Sequence, residues 1–477
     1  MKKPTSKQGR SAARPARPDD PAKARPAARP TPTREAARPI VLAFSGGLDT
    51  TFLVLWLKEQ TGCDVVTVTV DTGGFRPGEL QAIAQRARSL GVREHRTVDA
   101  REVVFERFVA YLIKGNCLRG GTYPVSVGAE RTAQAEAVVQ VARELGAGAI
   151  AHGSTRAGND QIRFDVAIRA LAPELAIHAP IRDLGWSRQQ ESAWLKERGV
   201  TIPPKTVAYS VNEGLFGTTI GGKETHDPWS MPPEAAYTAT VSPLEALDQP
   251  EELVVGFEQG VPVSLDGVRM KGPELVAALN ARARPHGVGR GIHLGDTILG
   301  VKGRLAFEAP GPLVLIQAHR DLEKLVQTRW QSFWRETLGS FYGNLMHEGL
   351  YYDPVMRDLE AFLDSVNARV TGEVRVRLFK GASSVVGVRS PFSMLNPAVA
   401  VYGEGASGWS GEEAAGFARI YGMATSLALR AGGAQGPGAA SPAGAHGTGH
   451  AGRPAGARPA SARGGKSARA GGKEKRS

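Results

Sequence analysis

The chain has 477 residues, 42% of them hydrophobic, and a formal net charge of +12. This length can bury a substantial core and predicts two or three domains. Two cysteines, Cys63 and Cys117, exclude a disulfide framework and any Cys-x-x-Cys site for zinc, iron–sulfur or redox chemistry. The basic N-terminus has no apolar signal core, its prolines argue against an amphipathic transit helix, and no run approaches the roughly 18 apolar residues of a membrane span. A cytoplasmic protein is the expectation.

Residues 1–38, rich in Pro, Ala and Arg, hold 11 Lys/Arg against 3 Asp/Glu, and residues 431–477, rich in Gly, Ala and Arg, hold 8 against 1. Both are expected to be disordered tails, because such compositions bury too little apolar surface to offset the entropy of ordering. The basicity therefore belongs to the tails, and residues 39–430 carry a net charge of −3. Basic arms of this kind bind nucleic acid or another anionic surface weakly and salt-sensitively. Plain solvated tails are the competing reading.

Residues 40–44 (Ile-Val-Leu-Ala-Phe) are a short apolar run that predicts a buried parallel strand. A helix is expected over 50–60, closed by Gly62, then a β-branched strand over 65–70, the turn Asp71-Thr72-Gly73-Gly74, and a second helix over 78–90. A helix over 129–145 and a strand over 149–152 repeat the pattern, with the loop Gly153 to Asp160 at that strand's carboxyl end. This alternation predicts an α/β fold with a doubly wound parallel sheet, whose ligands sit at the carboxyl edge. Beyond about residue 203 the alternation fails. Short strands at 253–257 and 373–378 and a long helix around 320–334 predict a second, α+β domain over 204–430, after a nucleotide-binding domain over 39–203.

Between the first strand and helix stands Ser45-Gly46-Gly47-Leu48-Asp49-Thr50. Glycines there let main-chain N–H groups approach phosphate oxygens, and the helix N-terminus adds partial positive charge. It is neither a Walker A loop nor Gly-x-Gly-x-x-Gly. The bland alternative is an ordinary strand-to-helix turn capped by Asp or Thr.

The hexapeptide resembles the PP-loop of the N-type ATP pyrophosphatases. His152-Gly153-Ser154-Thr155-Arg156-Ala157-Gly158-Asn159-Asp160-Gln161-Ile162-Arg163-Phe164 resembles a signature of one branch, the argininosuccinate synthase family. Lys58-Glu59-Gln60, Ala172-Pro173-Glu174-Leu175, Tyr209-Ser210-Val211-Asn212-Glu213-Gly214-Leu215 and His286-Gly287-Val288-Gly289-Arg290 are similar to further segments of that family in the same order. The resemblance implies an adenine nucleotide α-hydrolase-like fold, a synthetase and multimerisation domain, a homotetramer, ATP as co-substrate and Mg2+. It implies ligation of citrulline and aspartate through a citrullyl-adenylate.

It further implies that ATP meets Ala43, Phe44, Ser45, Gly46, Gly47, Leu48, Asp49, Thr50, Thr51, Val70 and Gly153. Citrulline would meet Tyr123, Asn159, Arg163, Ser210 and Thr219, and aspartate would meet Thr155, Asn159 and Asp160. A hydroxyl, an amide and a carboxylate in one loop suit an amino-acid zwitterion, although Asn and Asp are favoured in turns anyway. Arg163, four residues after Asn159, would aim at the same ligand if a helix begins there. No metal-ligand set is evident, and His347-Glu348 lacks the spacing of a zinc motif.

Three positions depart from the family's commonest form: Gly128 replaces a Ser, Gly295 lies near a missing Glu, and Phe307 replaces a Tyr. Each lost polar partner would cost on the order of 1–3 kcal/mol, and Ser126, Asp296 and Glu308 are the expected replacements. A different carboxamide-like substrate is the alternative. Trp330 and Trp334 are expected in the core or at a subunit contact. The competing activities are a PP-loop enzyme that modifies tRNA, an amidotransferase branch and a nucleotide-binding regulator with a dead site. The acidic body, the setting of the cysteines and the intact motifs count against them in turn.

Overall fold

The computed structural model describes residues 38–200 and 209–432. Apart from Arg38, Ala431 and Gly432, the tails expected to be disordered, with the expected domain boundary at 203/204, lie outside the described residues. Residues up to Leu395 form one compact unit, and those from Asn396 form a second.

The first unit opens with β1 (Ile40–Ala43), α1 (Leu48–Thr61), β2 (Val65–Asp71), α2 (Glu79–Ser89) and β3 (Glu94–Asp99). A short α3 (Arg101–Val104) passes through a π turn, Phe105–Val109, into α4 (Ala110–Lys114), and α5 (Ser126–Glu144), β4 (Ala149–Ala151), α6 (Asp160–Leu171) and β5 (Ala176–His178) follow. These five strands form one parallel sheet in the order β3-β2-β1-β4-β5. Along β1, Ile40 and Leu42 pack into one layer with Phe52, Leu53 and Leu57 of α1, while Val41 packs into the other with α5 residues such as Val138. A strand apolar on both faces must be covered on both, so the sheet is sandwiched between helices. Two more helices, α7 (Pro180–Leu184) and α8 (Arg188–Glu197), close this part, α8 held by a capping box between Ser187 and Gln190.

Antiparallel structure follows. The hairpin β6 (Ser210–Gly214) and β7 (Gly217–Gly221) leads to β8 (Glu251–Glu258), β9 (Val261–Leu265) and β10 (Val268–Arg269), then α9 (Gly272–Ala283), β11 (Arg290–Asp296) and β12 (Lys302–Glu308). Next come α10 (Pro310–Val326), α11 (Arg329–Glu348), α12 (Val355–Asn367), β13 (Gly372–Phe379) and β14 (Ala382–Arg389). The strands form two sheets, β10-β9-β8-β13-β14 and β11-β12-β7-β6. In β13 the alternation is clean, with Val374, Val376 and Leu378 inward. The single helix expected around 320–334 is instead two: Gln327 is extended and Thr328 starts α11 with its own capping box to Gln331. Trp330 and Trp334 are not in the core, being 62% and 53% exposed.

The second unit holds a small hairpin, β15 (Ala400–Val401) with β16 (Gly405–Ala406), and two helices, α13 (Gly411–Tyr421) and α14 (Met423–Ala431). Neither helix has a buried residue.

Candidate active site

A cavity of about 480 Å3 opens at the carboxyl edge of the parallel sheet. Strand order reverses between β1 and β4, so the loops after these two strands diverge and leave a crevice there. The loop after β1 is the phosphate-binding candidate. Gly46 takes a φ of +70, and a β-carbon there would stand 2.9 Å from Ile83 of α2, so glycine alone fits without displacement. Gly47 precedes α1 with no side-chain cap, which leaves that helix end available to an anion. The Ser45 hydroxyl lies 3.3 Å from that of Thr50, and the Thr69 hydroxyl donates to the Phe44 carbonyl at 2.6 Å, tying the loop's entry to β2.

Of the residues expected at ATP, Ala43, Phe44, Ser45, Asp49, Thr50, Val70 and Gly153 line the cavity. Gly46, Gly47, Leu48 and Thr51 do not: Thr51 is buried, and Leu48 packs against the α1 core. Asp49 lies 3.7 Å from Arg188 of α8, and its carboxylate also faces Glu191, whose carboxyl is raised by burial and by that neighbouring charge.

The loop after β4 enters from the other side. His152 stacks on Phe164 and its Nε2 meets Asp165 at 2.9 Å, so this histidine braces the loop. Thr155, Asn159, Asp160 and Arg163 all line the same cavity, with Tyr123, Ser210 and Thr219. Asp160 is clamped between Arg131 Nε at 2.9 Å and Arg163 Nη1 at 2.7 Å. Burial alone would raise its carboxyl, but the two guanidinium groups outweigh it and hold it at about 2. Asn159 precedes α6, and its side-chain oxygen accepts from the Ile298 N–H at 3.0 Å, joining this loop to the β11–β12 turn.

Arg163 lies on α6 and lines the cavity, as its spacing from Asn159 led one to expect. Its guanidinium is engaged with Asp160, with the His347 carbonyl at 2.8 Å and with His347 Nδ1 at 3.3 Å, so it orders the cavity wall. Burial raises the Tyr123 phenol, whose hydroxyl lies 3.2 Å from that of Ser126.

Two of the three expected replacements fail. Glu308 is 1% exposed, and its carboxylate accepts from the N–H groups of Thr238, Ala239 and Thr240 and from the Thr240 hydroxyl, so it anchors a loop. Asp296 pairs with Lys302 at 2.7 Å on an exposed hairpin end. Ser126 alone touches a cavity residue, Tyr123. At Gly128 a β-carbon would stand 2.7 Å from the Met346 carbonyl, because α5 and the end of α11 meet there. Phe307 packs on Tyr123 with ring centres 5.5 Å apart.

Sequence reading did not assign Arg131, Asn212 or His347 to the site, although Asn212 lies in a family segment and His347 was set aside as a metal ligand. Arg131 Nη2 donates to Asn212 Oδ1 at 2.8 Å, bridging α5 to β6, and all three residues line the cavity. The signal was present for Arg131: Glu130-Arg131 is a charged pair inside an Ala- and Val-rich helix whose other buried positions are mostly apolar. Nothing local marks His347.

Residues 39–201 match the family model described as arginosuccinate synthase N-terminal HUP domain, and residues 209–428 match the arginosuccinate synthase C-terminal domain. The chain is 41% identical to the argininosuccinate synthase of Methanocaldococcus jannaschii over 81% of its own length and 97% of that protein. For the Pyrococcus furiosus argininosuccinate synthase the identity is 41%, over 82% and 94%, and for that of Pyrobaculum aerophilum 40%, over 83% and 99%.

The chain belongs to the argininosuccinate synthase family.

It is therefore an ATP-binding ligase that forms a C–N bond in arginine biosynthesis. Family membership accords with a HUP-type parallel sheet followed by antiparallel sheets. Among the described residues no helix is long and apolar enough to cross a membrane.

Proposed function

We propose that the chain joins citrulline and aspartate into argininosuccinate in two steps. The ureido oxygen of citrulline attacks the α-phosphorus of ATP, the α–β phosphoanhydride bond breaks, and pyrophosphate leaves. The aspartate amine then attacks the ureido carbon of the citrullyl-adenylate, AMP departs with the C–O electron pair, and the amine loses a proton. The observation that carries this reading is that the loops after β1 and β4 face one cavity. A helix end without a side-chain cap stands on one side, and a hydroxyl, an amide and a clamped carboxylate stand on the other. In this reading Ala43, Phe44, Ser45, Asp49 and Thr50, with Val70 and Gly153, face ATP, while Gly46, Gly47, Leu48 and Thr51 set the loop's shape. Thr155, Asn159 and Asp160 hold aspartate, and Tyr123, Asn159, Arg163, Ser210 and Thr219 surround citrulline. Positioning and charge stabilisation then supply most of the rate enhancement.

Magnesium suits the residues present. Asp49 Oδ1 is buried beside the loop with no hydrogen-bond partner among the described residues, only Arg188 at 3.7 Å. No group of three or more His, Cys, Asp or Glu among them could hold an ion by itself. A site completed by phosphate oxygens and water has this form, and the ion would neutralise phosphate charge. The reading also includes a cytoplasmic homotetramer.

The test supplies ATP, citrulline and aspartate together and measures pyrophosphate and AMP. Release dependent on both amino acids is expected. No release with this pair, but release with another amino acid or with tRNA, overturns the proposal.

A further inference from the structure

His347 ends α11 at the wall of the cavity, where it is 6% exposed. Its two ring nitrogens are in unlike surroundings. Nδ1 lies 3.3 Å from Arg163 Nη2, which can only donate, so Nδ1 accepts and the ring proton sits on Nε2. Nε2 is buried and has no hydrogen-bond partner among the described residues. A buried N–H donor without a partner is costly, of the order of 1–3 kcal/mol, unless a ligand supplies the acceptor.

The neighbours define the acceptor. Arg163 and Arg119 bring positive charge toward His347, and His293 stands on the same side, stacked on Tyr123. Asp160, the nearby carboxylate, is already taken by Arg131 and Arg163. Burial, with Arg163 beside it, lowers the imidazole to about 2, so the ring remains a neutral donor throughout the working range. A positive neighbourhood with a spare donor suits an anionic oxygen. His347 contacts Arg163 directly, and both line the cavity with Tyr123.

We infer that the Nε2–H of His347 is an additional substrate contact, donating to the α-carboxylate of the ureido amino acid while Nδ1 holds Arg163 in place. This rests on the function proposed above. Gly128 is part of the same device: without a side chain there, the His347 backbone approaches to 3.3 Å of where a β-carbon would stand. The glycine that replaces a family serine thus lets His347 reach the cavity wall.

Two variants separate the ring's two bonds. His347→Asn retains an acceptor at the Nδ1 position for Arg163 and removes the Nε2 donor, whereas His347→Gln places an amide N–H near the Nε2 position. Steady-state pyrophosphate release is measured for wild type and both variants, varying each substrate in turn. The expected result is that H347N raises the citrulline KM about tenfold, near 1.4 kcal/mol. The KM values for ATP and aspartate stay within twofold, and H347Q recovers most of the loss. An unchanged citrulline KM in H347N overturns the inference alone. So does damage in H347Q with H347N like wild type, which would mark a structural role through the Nδ1 contact to Arg163, and so does equal damage by both variants in every parameter, which would mark loss of packing alone. A wild type that releases no pyrophosphate with citrulline and aspartate overturns the functional reading and this inference with it.

Discussion

Asp160 carries the largest electrostatic duty in the cavity. It neutralises two guanidinium groups that would otherwise repel each other across the wall, and it remains ionised because both stand within 3 Å. Asp160→Asn should lower kcat/KM for aspartate roughly 30- to 150-fold, the value of a hydrogen bond to a charged group at about 2–3 kcal/mol. Its carboxyl is depressed in the folded state, so its contribution to stability is present above the ordinary carboxylate range and is lost as pH falls toward 2. Denaturant melts from pH 5 to pH 2 should show this loss in wild type and not in D160N. Asp296 provides the contrast. Its carboxylate pairs with Lys302 at an exposed hairpin end, so Asp296→Ala should leave the citrulline KM within twofold of wild type.

Among the elements, α5 carries the site's architecture: its residues touch α11, β6 and the turn of the β6–β7 hairpin. At Gly128 a serine would press its β-carbon onto the Met346 carbonyl and push the end of α11 outward. Gly128→Ser should therefore destabilise the protein by about 1–3 kcal/mol, read as a fall in Tm, and should raise the citrulline KM by displacing His347. Two residues on, Glu130 is 2% exposed, its carboxyl lies near the Phe216 N–H and the Thr72 hydroxyl, and its Oε1 occupies the space a side chain at Gly214 would need. Burial pushes its carboxyl up to about 8. A folded value above the unfolded one means stability that is full below the ordinary Glu range and declines as pH rises through about 8. Thermal melts between pH 5 and 9 should show this decline in wild type, and Glu130→Gln should flatten it.

For the molecule as a whole, α11 presents Trp330, Phe333, Trp334 and Phe341 to solvent. Exposed apolar side chains at spacings of three and four residues along one helix are the pattern of a contact face, and the proposed homotetramer would use it. The double variant Trp330→Glu, Trp334→Glu should lower the assembly mass measured by light scattering below that of the proposed homotetramer. Pyrophosphate release per subunit would decline only as far as assembly supports the cavity. An unchanged mass would remove this face from the interface.

The phosphate loop and the doubly wound sheet were legible because both are local in sequence. An apolar run both of whose faces must be covered, a glycine pair and a helix start lie within twenty residues, and Gly46 and β1 behave accordingly. The loop from His152 to Phe164 was legible for the same reason, as a contiguous motif at a strand's end. What tertiary structure alone decided is how distant segments meet. Asp296 and Glu308 looked like replacements because they are near in sequence to lost polar groups, yet one faces solvent and the other caps a loop. His347 stands 184 residues from Arg163 and carried no local signal. The reason is physical: a backbone pattern records which face of an element is buried, but the partner of a buried polar atom is chosen by packing across elements. Sequence thus determined the family and the strand–loop–helix that carries the candidate phosphate loop, and the packing of α5 against α11 determined the cavity wall around His347.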